Sequence, residues 1–445
     1  MKRLLYSKLL EWKNKPSRKP LILEGARQVG KTWLLKEFGN NEYDNVAYIN
    51  CDNNELMNSS FDDFDISRII MNFSLISKTN IEPGNTLIIL DEIQEVPLAL
   101  TSLKYFCEDA PDYHIAVAGS FIGIKNRNED SSGTGFPVGK VDRLKLYPLS
   151  FTEFLLALGE ETLVSYIEQH KWEELNTLKS RLINYLKQYY YVGGMPTAVN
   201  EFVTTKNLYN VRSIQKSIIS EYEHDFNTHA FYVTIPKLFK VWNSIPSQLN
   251  KGNKKFFYNA IKPGARAKEF EDAIEWLQKA GLIYKVRHIN KIEMPLKFYE
   301  DSNAFKIFII DLGLLGAMYN TPAENILIGP DIFSAYNGSY TEQYIAQQLV
   351  TIFGDKVYYY TNDKSSLEIN FVVQWDTVYP IDVHGKENLK SKALQTVLSN
   401  NTSLCGLRFS ASDYRKEERM NNVPLPLAEE YIKNLNKTDL SLTDI

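Results

Sequence analysis

Cysteine is scarce in this 445-residue chain. There are three, Cys51, Cys107 and Cys405, widely spaced and odd in number. They offer no disulfide framework and no thiolate metal cluster, and they suit a reducing compartment. Long apolar runs are missing too. Nothing approaches the ~18 consecutive apolar residues of a spanning helix, so no membrane partner is expected. The first residues, Met1-Lys2-Arg3-Leu4-Leu5-Tyr6-Ser7-Lys8, lack the apolar core of a signal peptide, and a cytoplasmic location is the expectation. Charge of one sign is also lacking. The 50 Lys and Arg against 54 Asp and Glu leave a formal net charge of −4, which exerts no global pull toward nucleic acid. What remains is the composition of an ordinary globular protein, long enough for about three domains.

What is present begins with a loop. Gly25-Ala26-Arg27-Gln28-Val29-Gly30-Lys31-Thr32 reads Gly-x-x-x-x-Gly-Lys-Thr. Before it, Pro20-Leu21-Ile22-Leu23-Glu24 has the length of a buried strand. After it, Trp33-Leu34-Leu35-Lys36-Glu37-Phe38 has helical apolar spacing. Strand, glycine loop, helix is the context in which this pattern cradles phosphate. The glycines let backbone N–H groups turn inward, and the helix N-terminus adds positive partial charge. Lys31 is expected to reach the β- and γ-phosphates of ATP, and Thr32 to offer its hydroxyl to Mg²⁺.

A second strand, Thr86-Leu87-Ile88-Ile89-Leu90-Asp91-Glu92, ends in two acids. Asp91 is the expected Mg²⁺ holder and Glu92 the residue that polarises the attacking water; the bland reading is two solvated acids at a strand end. His114-Ile115-Ala116-Val117-Ala118-Gly119-Ser120 is a third strand, and Asn45-Val46-Ala47-Tyr48-Ile49-Asn50 a fourth, followed by Asp52. Strand C-termini line the crevice of a parallel sheet, so Ser120 either meets the γ-phosphate and the water or simply ends a strand. A polar loop is expected over Lys125–Gly139. Lys140 and Arg143 then follow as cations that could act on the transferring phosphate. Ser150 and Glu153 form a capping box before a helix.

Together these segments resemble a bacterial and archaeal family of AAA-like P-loop ATPases. The resemblance rests on Leu23-Glu24-Gly25-Ala26-Arg27-Gln28-Val29-Gly30-Lys31-Thr32, Leu90-Asp91-Glu92-Ile93-Gln94, Ala118-Gly119-Ser120, and Leu146-Tyr147-Pro148-Leu149-Ser150-Phe151 with Glu153 and Phe154. Many members carry Gly-Arg where this chain has Gly139-Lys140. A lysine keeps the charge but not the bidentate fork, which leaves the arginine-finger role open between Lys140 and Arg143. The resemblance implies ATP hydrolysis and a C-terminal domain of unknown function. It is compatible both with oligomers that borrow a neighbour's cation and with switches that act as monomers.

The expected fold is α/β. A P-loop parallel sheet fills residues 1–155, a helical lid 156–230, a winged helix 231–300 and a small α/β nuclease-like domain 301–445. In the lid, Tyr191-Val192-Gly193-Gly194-Met195-Pro196 is a sharp break, similar to the family's glycine-glycine-x-proline turn. Residues 231–297 hold thirteen Lys and Arg against five acids. Their layout predicts helix Ile235–Leu249, a basic turn, helix Ala265–Ala280 and a wing strand from Leu282. Double-stranded DNA could meet Lys251, Lys254, Lys255, Arg266 and Lys268 within 251–268. The alternative is a winged helix that packs on a protein partner.

Residues 336–409 alternate helix and strand in an order that resembles a restriction-endonuclease-like fold. Such a nuclease needs acids that hold Mg²⁺ and a lysine that assists water. Glu342 fits the first acid and Asp382 another, but Asn370 stands for the aspartate and His384 for the lysine. Histidine is not a constant cation near pH 7. Three functions follow in order: an ATPase driving conformational change in the C-terminal modules, a nucleotide-gated DNA- or protein-binding switch with little turnover, and an ATP-regulated nuclease.

Overall fold

The computed structural model describes residues 1–52, 57, 59–61, 63–120, 136–329, 332–362, 367–385 and 390–438. The loop expected over Lys125–Gly139 lies outside the described residues up to position 135. The chain divides into two compact units. One comprises Met1–Tyr147, Asp225–Tyr232 and Lys279–Gly281; the other comprises Pro148–His224, Val233–Gln278 and Leu282–Ile445.

The first unit contains α1 (Tyr6–Lys13), β1 (Leu21–Glu24), α2 (Lys31–Glu42), β2 (Asn45–Asn50), α3 (Ile66–Ser77), β3 (Thr86–Asp91), α4 (Pro97–Asp109), β4 (His114–Gly119) and β5 (Asp142–Lys145). The strands form one sheet in the order β2-β3-β4-β1-β5, and every pairing is parallel. β3 and β4 are buried at every position, as continuous apolar runs must be in a covered parallel sheet. Ile22, Ile88, Leu90 and Val117 of the sheet pack with Phe73 and Phe106 in the core. β4 lies between β1 and β3, with Leu23 opposite Ala118 and Glu24 opposite Gly119. The loop after β1, the acids after β3 and Ser120 after β4 therefore emerge along the same sheet edge.

The second unit begins with helices α5 (Phe151–Ala157), α6 (Glu161–Ile167), α7 (Lys179–Val192), α8 (Pro196–Thr205), α9 (Leu208–His229), α10 (Ile235–Leu249) and α11 (Ala267–Lys279). The last turn of α9, from Asp225, is counted with the first unit. Ser150 and Glu153 form the expected capping box at α5, worth about 1 kcal/mol. The break between α7 and α8 needs both its glycines. A Cβ on Gly193, at φ +70°, would lie 2.2 Å from Asp311 Oδ1, and one on Gly194 would lie 2.1 Å from the Leu149 carbonyl. Asp311 accepts hydrogen bonds from the N–H groups of Gly194 at 2.6 Å and Leu314 at 3.0 Å. Full burial nevertheless pushes its carboxyl up to about 6.

The chain continues through β6 (Ile283–Ile289), β7 (Glu300–Ile309), α12 (Leu312–Met318), α13 (Ala323–Leu327), α14 (Ser339–Phe353), β8 (Tyr358–Thr361), β9 (Glu368–Gln374), β10 (Val378–Val383), α15 (Lys392–Asn400), β11 (Gly406–Ser410), β12 (Arg415–Lys416), β13 (Met420–Pro424) and α16 (Ala428–Thr438). Their strands make one eight-stranded sheet, β12-β13-β11-β10-β9-β8-β6-β7. The boundary expected near residue 300 runs through this sheet. The strand read as a wing, β6, pairs antiparallel with β7 and parallel with β8. Its side chains explain why: Ile283 on one face and Tyr284 and Val286 on the other are all buried. A solvent-facing wing would alternate apolar and polar.

Candidate nucleotide site

The loop between β1 and α2 is held in an unusual backbone path. Gly30 caps α2 at φ 95° and Gly25 sits at φ 153°. A Cβ on Gly25 would lie 2.4 Å from the Leu146 carbonyl oxygen. Gln28, though not a glycine, has φ 67°, the kind of strain that surrounding structure must enforce. Part of that enforcement comes from Arg3, which is buried. Its guanidinium donates to the Val29 carbonyl at 2.8 Å and the Tyr147 carbonyl at 2.6 Å.

Lys31 is only 7 % exposed. Its ammonium donates to the Gly25 carbonyl at 2.9 Å, the Ala26 carbonyl at 2.8 Å and Ser120 Oγ at 2.9 Å, which engages all its donors. Burial pushes this ammonium down to about 8, against the pull of Glu92 and Asp91, and the nearby charge of Arg27 lowers it further. Thr32 Oγ1 donates to Asp91 Oδ2 at 2.7 Å, and the Tyr48 hydroxyl donates to the same oxygen at 3.1 Å. Burial, then the charge of Asp91, pushes the Tyr48 hydroxyl up to about 12. Glu92 follows at φ 50°, and Gln94 Nε2 donates to its Oε2 at 2.6 Å.

The fold thus joins Lys31 to Ser120 and Thr32 to Asp91 by two separate hydrogen bonds, with Glu92 next to Asp91 in the chain. The two candidate finger cations are each paired with an acid. Arg143 Nε donates to Glu24 Oε1 at 2.8 Å, and its second nitrogen binds the same oxygen. Lys140 pairs with Glu108 at 2.8 Å. Asp52 is exposed beyond β2. Sequence reading did not single out Arg3, Tyr48 or Asp225 and did not give Gln94 a task. Asp225, 1 % exposed, accepts from Arg27 Nη1 at 2.5 Å. Its signal was available: it shares a buried face of α9 with Val211, Ile218, Tyr222 and Phe226, and an acid on such a face needs a partner. Arg3 and Tyr48 belong to no motif.

In the second unit Glu342, expected to hold a metal, meets two lysines, and Asp382 meets a histidine. Glu342, on α14, accepts from Lys254 at 2.6 Å and from Lys306 at 3.4 Å, and Lys306 also reaches Glu368 at 2.5 Å. Lys306 is 0 % exposed. Burial opposes the ionisation of Glu342, yet the two lysines hold its carboxyl below the usual range. Lys254, expected on a DNA phosphate, is therefore buried in an ion pair because Glu342 demands a cation. Asn370 Oδ1 accepts from the Val383 N–H at 2.9 Å, and Asp382 pairs with His384 Nε2 at 2.9 Å. Among the described residues no His, Cys, Asp or Glu trio gathers to hold a metal. Of the other expected phosphate contacts, Lys251, Arg266 and Lys268 are exposed and Lys255 is half-buried. No helix among the described residues is long and apolar enough to cross a membrane.

Two family models match parts of the chain. Residues 17–155 match a family model described as an AAA domain. Residues 183–325 match one described as a domain of unknown function, DUF8612. No curated protein matches the chain. Among solved structures, a Walker-type ATPase of Pyrococcus abyssi is 14% identical over 72% of this chain and 95% of its own, with a TM-score of 0.45. The ORC1 protein of Aeropyrum pernix, solved in complex with DNA, is 12% identical over 72% of this chain and 94% of its own, with a TM-score of 0.28. The first unit has the fold of an AAA-type P-loop ATPase, and a domain of unknown function follows it.

Proposed function

We propose that the chain binds ATP with Mg²⁺ at Gly25–Thr32 and hydrolyses it. The observation that carries this reading is the 2.7 Å hydrogen bond from Thr32 Oγ1 to Asp91 Oδ2, which joins the phosphate loop to the acid strand. The loop N–H groups and the start of α2 would surround phosphate oxygens. Lys31 would exchange the loop carbonyls for phosphate oxygens, trading neutral acceptors for charged ones. A hydroxyl and a carboxylate are hard oxygen donors of the kind Mg²⁺ takes, so Thr32 and Asp91 would hold it. When bound there, Mg²⁺ neutralises charge on the β- and γ-phosphate oxygens. Glu92, held by Gln94, orients a water and takes its proton as the water oxygen bonds to the γ-phosphorus and the bridging oxygen leaves with ADP. Ser120 supports Lys31 at the γ-phosphate end. Arg143 serves as the counter-ion of Glu24.

Hydrolysis would drive conformational change in the second unit. There the order α14-β8-β9-β10-α15-β11 supports a nuclease-like module, and the engaged Glu342, Asn370 and Asp382 favour docking over cutting. A second reading, DNA binding, is favoured by exposure of Lys251, Arg266 and Lys268. A retardation assay at two salt concentrations tests it: a shift at low salt that weakens steeply supports phosphate contacts, and no shift at low salt removes them. For hydrolysis, phosphate release should occur with Mg²⁺ and stop on chelation; release that continues in chelator contradicts the Thr32–Asp91 assignment.

A further inference from the structure

Asp91 is held by a residue that belongs neither to the Gly25–Thr32 loop nor to the acid strand. Tyr48 is on β2, the edge strand beside β3. The two strands run parallel, with Tyr48 opposite Ile89 and Asn50 opposite Asp91. Tyr48 is thus one step back on the sheet face that carries Asp91, and a phenol is long enough to cover the step. Its hydroxyl donates to Asp91 Oδ2 at 3.1 Å, beside Thr32 Oγ1 at 2.7 Å. The other oxygen, Oδ1, accepts from the Glu92 N–H at 3.2 Å. A carboxylate has about four lone-pair positions. These bonds fill two on Oδ2 and one on Oδ1, so turning the carboxylate breaks at least one of them. Tyr48 is itself held from α2. Lys36 Nζ lies 3.4 Å from the centroid of its ring, the contact of a cation with a π face. Lys36 follows Thr32 by four residues, so the two share one face of that helix. Thr32 meets Asp91 directly, and Lys36 meets it through Tyr48.

We propose that Tyr48 is a positioning residue for the divalent cation of the nucleotide site, acting by holding the Asp91 carboxylate. A carboxylate that is already oriented meets the cation without first being ordered. Residues that hydrogen-bond a metal-holding side chain contribute about 10–100-fold to metal affinity. Tyr48 belongs at the lower end. It is half-buried, and Thr32 and the Glu92 N–H still hold Asp91 when its hydroxyl is removed. This inference rests on the nucleotide-site reading above and adds to it a residue that neither motif contains.

The test is calorimetric titration of the full chain by ATP, once with Mg²⁺ and once in chelator. The ratio of the two affinities is the readout, and the affinity of Mg²⁺ for free ATP cancels between variants. Tyr48→Phe keeps the ring under Lys36 and removes only the hydroxyl. It should lower the ratio about tenfold while affinity in chelator stays within about twofold of wild type. Asp91→Asn should lower the ratio at least as far, and Tyr48→Phe added to Asp91→Asn should lower it no further. An unchanged ratio in Tyr48→Phe, or equal losses with and without Mg²⁺, overturns the proposal, because the hydroxyl then serves packing alone. A ratio that rises overturns it as well, because Tyr48 then competes with the cation for Asp91. Asp91→Asn separates the two readings. If it loses the ratio and Tyr48→Phe keeps it, this inference fails alone. If Asp91→Asn keeps the wild-type ratio, the cation site itself is misassigned and this inference falls with it.

Discussion

Replacing Glu342 by Gln should destabilise the second unit. Lys306 is fully buried and Lys254 nearly so, and Glu342 faces both at 3.4 and 2.6 Å. Removing its charge takes away the carboxylate that both buried ammonium groups share; Glu368 still pairs with Lys306, at 2.5 Å. Breaking a buried pair costs about 3–5 kcal/mol. The lower end applies, because Glu368 still balances Lys306 and is partly exposed. About 3 kcal/mol corresponds to a fall of roughly 6–12 °C in the melting temperature of a unit of this size, readable by differential scanning calorimetry. Adding Lys254→Met should recover about 1–3 kcal/mol, since the surplus cation is then gone. A metal-ligand role predicts the opposite sign. Acids gathered for an absent ion repel one another, so Gln would leave stability unchanged or raise it. A Glu342→Gln protein that melts at or above the wild-type temperature would refute the ion-pair reasoning.

Gly194→Ala should destabilise by at least about 2 kcal/mol in denaturant titration, because its Cβ would stand 2.1 Å from the Leu149 carbonyl and backbone must move; a change under about 0.5 kcal/mol contradicts that packing. Gly25→Ala, with 2.4 Å to the Leu146 carbonyl, should weaken ATP at least about tenfold with the circular dichroism spectrum retained, and unaltered affinity would count against the loop geometry. His114 is buried against Tyr43, and burial pushes its imidazolium down to about 4. The unfolded chain, titrating near 6.5, protonates first on acidification, so this contribution, at most about 3 kcal/mol, is present above ~6.5 and lost as pH falls toward ~4. His114→Gln should flatten the acid limb of the first unit's unfolding curve, and parallel limbs for both proteins would argue against it.

The strand-loop-helix of the first unit was legible because its signals are local. Gly25, Gly30, Lys31 and Thr32 lie within eight residues, and the apolar strand before Asp91 marks itself by unbroken burial. The residues that brace the loop were not legible by motif. Arg3 binds the Val29 carbonyl across 26 positions and Asp225 meets Arg27 across 198, distances over which no spacing rule operates. Domain limits were harder still. The basic segment 231–297 looked self-contained by charge, yet β6 joins β8 by backbone pairing, to which charge counting is blind. Lys254 misled for the same reason: a lysine in a basic turn reads as solvated until the acid that buries it, 88 residues on, is known.

Hydrolysis at the loop is tested most directly by the Glu92→Gln protein, measured for ATP affinity and for phosphate release side by side. Thr32, Lys31 and Asp91 are untouched by this change, so ATP should bind within about threefold of wild type while release falls at least about a hundredfold, the typical scale of a lost general base. Phosphate release at the wild-type rate would contradict the assignment of Glu92 and, with it, hydrolysis by this constellation.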